Sequence, residues 1–176
     1  MSKSEILTGT NLELWHGLVQ HGEKLSGKDL PEELEHYLVT VFDKSFQPLE
    51  GQKSFISDPA IVMLRQAQEK VGLEKREALR FVGEACLMRA GFSQFVSRTF
   101  KKIEGSPRQF YINIGRSSFI ALYIEYENRN KKNAGLLYRS VAYNLHHLVE
   151  VLSSIENNRG VAEKLHNITI GNVTYL

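Results

Sequence analysis

A single cysteine, Cys86, stands among 176 residues, so no intramolecular disulfide can staple the chain. One lone thiol fits a reducing compartment. No stretch of about 18 or more apolar residues occurs, so no membrane span is expected. The first residues, MSKSEILTGTNLELW, carry a lysine but no apolar core and no small-residue cleavage site. No secretory signal is therefore expected, and the cytoplasm is the expected location. Also missing are Gly-x-Ser-x-Gly, a phosphate-binding glycine loop, a paired Cys-x-x-Cys and Gly-x-Gly-x-x-Gly. Without them the reading turns away from an ordinary enzyme, and no cofactor is assigned. There is no low-complexity tract and no repeat of the solenoid kind.

What remains is the composition of a soluble globular chain, 42% hydrophobic and 24% charged. A chain of this length can bury roughly 70% of its unfolded surface, which suits one domain over residues 1–176. Net charge is only +2, yet it is unevenly spread. Residues 1–70 hold 7 basic and 11 acidic groups, residues 71–140 hold 13 and 6, and residues 141–176 hold 2 and 3. The basic middle can face nucleic acid, an acidic partner, or the acidic first third of its own fold.

Apolar spacing predicts helices throughout. The first is expected from Thr10 or Asn11 to Leu25, with Leu12, Trp15, Leu18 and Val19 on one face. The second has Asp29 as a cap, Pro31 in the first turn and Glu32, Glu33 and Glu35 against the dipole, followed by Leu34, Leu38, Val41, Phe42 and Ser45. Gln47 to Ser57 reads as a loop. Asp58-Pro59 restarts a helix bearing Ile61, Met63, Leu64 and Val71, with Gly72 as its stop. Leu73 to Ala90 carries one stripe of Leu79, Val82, Gly83, Cys86, Leu87 and Ala90. A short amphipathic piece, Gln94 to Ile103, follows. Pro107 to Asn128 is apolar almost all round and is expected at the centre of a bundle. A last long helix has the seam Ala134, Tyr138, Val141, Leu145, Leu148, Leu152, Ile155. The tail NITIGNVTYL lacks helical period; it reads as a strand, a docking arm through Ile168, Ile170, Val173 and Tyr175, or a disordered end.

An interior helical glycine costs roughly 1 kcal/mol against alanine, so Gly83 and Gly115 need a reason. Close approach of two helices is the plain one, with Cys86, Ala90 and Ser118 also small. A cleft where ligand meets backbone is the other. Glu84, at the edge of the stripe, is read as the partner of Arg80 or of Arg116, the latter making a register pair between helices. Glu33-Leu34-Glu35-His36 and His147-Leu148-Val149-Glu150 resemble carboxylate–histidine metal motifs of helical bundles. Their wheel positions point away from the predicted core, and no metal site is assigned. Arg98, Lys101, Lys102 and Arg108, interleaved with aromatics, form a candidate basic binding surface of nucleic-acid type.

Leu79 to Glu84, Cys86-Leu87, Ala90-Gly91-Phe92, Phe110-Tyr111 and Gly115-Arg116-Ser117 resemble a family of small bacterial all-helical proteins of uncharacterised activity. Leu30 to Leu38 looks like the second-helix start of the same family. The chain departs from that pattern at Gly83-Glu84, where Gly-Asp is expected, and at Ser118-Phe119. The resemblance implies an all-helical bacterial protein and brings no activity with it.

The expected architecture is thus an all-α bundle of about six helices with a β-prone tail. The leading expectation for function is a non-catalytic, cytosolic protein-binding adaptor or assembly component, with self-association to a homodimer among its forms. A nucleic-acid-binding regulator comes second. A metal-dependent or small-molecule-binding helical enzyme comes third.

Overall fold

A computed structural model describes residues 3–46, 58–92 and 107–158. Among these the chain forms seven α-helices and no strand. They are α1 (Lys3–Ser26), α2 (Glu32–Phe46), α3 (Ala60–Glu69), α4 (Gly72–Gly91), α5 (Pro107–Glu127), α6 (Lys132–Tyr143) and α7 (Leu145–Asn157). The chain divides into two compact units: Met1–Lys53 with Glu150–Leu176, and Ser54–Val149. Helix α7 begins in the second unit and ends in the first.

In the first unit α1 ends where Gly27 adopts φ +67°, letting the Lys28 amide reach back to the Glu23 carbonyl at 3.2 Å. This is the left-handed helix end that glycine makes without a Cβ penalty. The Glu23 side chain then accepts the Leu30 amide at 2.7 Å, so a carboxylate of α1 secures the turn before α2. Helix α2 starts after Pro31, whose carbonyl receives the Leu34 and Glu35 amides. Trp15 and Phe42 stack with centroids 5.6 Å apart and both are fully buried. Helix α1 begins earlier than Thr10, and Leu12, expected on its apolar face, is exposed.

The second unit is built on α4 and α5. Residues 82–92 of α4 and its end are buried without interruption, Glu84 and Arg89 included. The helix enclosed all round is therefore the C-terminal half of α4. Helix α5, expected at the centre of a bundle, packs against α3, α4 and α6 and still keeps an outward row of Gln109, Asn113, Ser117, Ile120 and Ile124. The physical reason is spacing: Ile120 and Ile124 fall four apart on the same face as the polar residues. Helix α3 stops at Glu69, with Lys70 extended, and Gly72 at φ +62° makes the joint into α4 rather than ending α3. Of the apolar residues assigned to this helix, Met63 and Leu64 are buried while Ile61 and Val71 are exposed.

The long last helix is two helices. The break falls at Asn144, whose Nδ2 donates to the Ser140 carbonyl at 2.9 Å while its own amide donates to the same oxygen at 3.1 Å. Asn144 itself leaves the helical region, at φ −101° and ψ 10°, and the apolar seam is unchanged. Tyr138, Val141, Leu145, Leu148, Leu152 and Ile155 stay buried across the break, and Ala134 is exposed.

Candidate functional site

The two glycines of the sequence analysis lie on the α4–α5 seam. A Cβ built on Gly115 would meet the Cys86 Cβ at 3.0 Å, a Leu145 methyl at 3.2 Å and the Gly83 carbonyl oxygen at 3.6 Å. A Cβ on Gly83 would meet three carbons of the Phe119 ring at 2.6–2.8 Å. The backbones are thus as close as side-chain-free positions allow, and Cys86 packs there as a small, fully buried hydrophobe. Ser118 closes the same seam by donating from Oγ to the Leu79 carbonyl at 2.6 Å. No cleft opens between these atoms.

Beside this seam runs a column of stacked rings. Phe119 lies on Tyr138 at 6.2 Å, Tyr138 on Tyr126 at 5.6 Å, and Arg76 covers Tyr126 at 5.7 Å. Gly135 lets α6 approach, since a Cβ there would touch Tyr123 and Tyr126 at 3.3 Å. Burial pushes the Tyr138 hydroxyl above its ordinary pKa of 10, and the Glu84 carboxylate adds to that, while Arg80, which hydrogen-bonds the hydroxyl, works against it. Glu84 is 3% exposed and so shares a buried neighbourhood with Arg80 and Tyr138. Arg116 donates from Nε to the Ala142 carbonyl at 3.3 Å, tying α5 to the last turn of α6.

Arg89 is a buried cation that sequence spacing did not single out. Its Nη2 donates to the Asp58 carbonyl at 2.6 Å, and its Cζ lies 5.7 Å from the Tyr111 ring centre. It fastens the start of α3 to the end of α4. The only sequence signal was a charge on an otherwise apolar helix end.

The outward face of the α5–α6 hairpin has a different character. Arg139 lies over Tyr123 at 5.9 Å and over Tyr143 at 5.7 Å. One helical turn away on either helix are Ile120 and Leu136, with Ile124 and Tyr143 continuing the two rows. Ile120, Ile124, Leu136 and Tyr143 are 38, 48, 49 and 64% exposed. At the tip, Asn130, Lys131, Lys132, Asn133 and Ala134 line a shallow open depression. Helix α6 starts there with no side-chain cap and no acidic residue in its first turn.

The metal-like motifs go to separate tasks. In the first unit His16 Nε2 lies 3.1 Å from Glu35 Oε1, an ion pair whenever the imidazole is protonated, and the His16 and His36 ring centres are 6.2 Å apart. Glu33 and His36 face outward. Glu150 pairs with Lys28 at 3.0 Å. His146 and His147 have ring centres 4.0 Å apart. Among the described residues no group of three or more His, Cys, Asp or Glu is placed to hold a metal ion. Of the candidate basic surface, Arg108 is exposed near the start of α5; Arg98, Lys101 and Lys102 lie outside the described residues, as do Ile168, Ile170, Val173 and Tyr175 of the tail.

The described residues define an all-helical protein, and none of their helices is long and apolar enough to cross a membrane. No protein-family model matches the chain, and no match to it is found among curated proteins or solved structures.

Proposed function

We propose that this chain is a non-catalytic protein-binding component, an adaptor or a part of an assembly, that works through its helical surfaces. The outward face of the α5–α6 hairpin supports the reading. It gathers two isoleucines, a leucine and two tyrosines around Arg139. Aromatic residues and arginine are the side chains that carry binding energy when a partner excludes water from them. By contrast, several titratable groups described above tie the chain to itself: Glu23 holds a turn, Glu150 pairs with Lys28, and Arg80 hydrogen-bonds Tyr138.

Affinity capture of the full chain from its native cells, set beside an Ile124→Asp, Leu136→Asp variant, tests this. Both positions are outward, so the variant is expected to melt as the wild type does while losing its bound protein. Equal capture by the two forms overturns the reading. Retention on RNA or heparin that disappears on Lys101→Glu with Lys102→Glu would favour a nucleic-acid-binding regulator instead.

A further inference from the structure

We draw no further inference here: the strongest candidate, the outward face of the α5–α6 hairpin around Ile120, Ile124, Leu136, Arg139 and Tyr143, is already the surface of the proposed function, and nothing in the structure shows what covers it.

Discussion

A methyl group at Gly83 would fall 2.6 Å from Cζ of Phe119, far inside carbon–carbon contact. The ring has nowhere to go, because it is fully buried and stacked on Tyr138. Overpacking of this kind costs about 1–3 kcal/mol, which meets or exceeds the gain of about 1 kcal/mol that alanine brings to a helix interior. Gly83→Ala is therefore expected to lower the urea midpoint. Combining it with Phe119→Leu should restore part of the loss, so that the two changes are not additive.

Helix α1 offers a matched pair of glycines. A Cβ at Gly17 meets nothing within 4 Å, whereas one at Gly22 would lie 2.7 Å from Ile155 Cγ1 and 2.8 Å from the Val151 carbonyl oxygen. Gly17→Ala should raise stability by about 1 kcal/mol through helix propensity alone. Gly22→Ala should lower it, because a backbone oxygen of α7 cannot rotate aside. Thermal melts of the two variants should shift in opposite directions.

These two glycines show what sequence spacing carries. Gly83 and Gly115 were conspicuous because each interrupts a dense apolar stripe, and the start of α5 was marked by Pro107. Gly22 gave no such sign, since its neighbours in the chain are polar and its contact, with α7, is about 130 positions away. The Asn144 break was hidden for a related reason: the apolar seam runs through it unchanged, and only the backbone of Asn144, at φ −101° and ψ 10°, leaves the helix. The outward face of α5 was obscured by composition. Ile120 and Ile124 count toward an apolar helix in any window, but they share a side with Asn113 and Ser117.

The ionisation of Glu23 in the first unit has a definite sign. Burial raises the Glu23 pKa above its ordinary 4.5, with Glu35 and Asp29 adding to the rise and the Leu30 amide and His16 opposing it. The unfolded chain then ionises this group before the folded one does. The stability it contributes is complete below pH 4.5 and is lost as pH rises through the folded-state value. Glu23→Gln keeps an oxygen for the Leu30 amide and removes the ionisation. Its unfolding midpoint should match the wild type near pH 4 and gain on it by pH 7; a gain that instead shrinks with rising pH would contradict the assignment.

Tyr138 in the second unit follows the same logic at alkaline pH. Its hydroxyl is raised above 10 by burial, so the stability it contributes is full below pH 10 and falls as pH climbs further. Tyr138→Phe loses the hydrogen bond with Arg80, at a cost of about 1 kcal/mol or more at neutral pH. The gap between the two proteins should narrow above pH 10. Denaturant titrations at pH 7, 10 and 11 would show whether it does.

Site-specific crosslinking addresses the central claim, that the α5–α6 face binds a protein, most directly. A photoreactive phenylalanine placed at Leu136 in native cells is compared with the same group at Gln66, an exposed position on α3. The expected result is a discrete protein adduct from position 136 and none from position 66. No adduct at 136, or equal adducts from both positions, would contradict it.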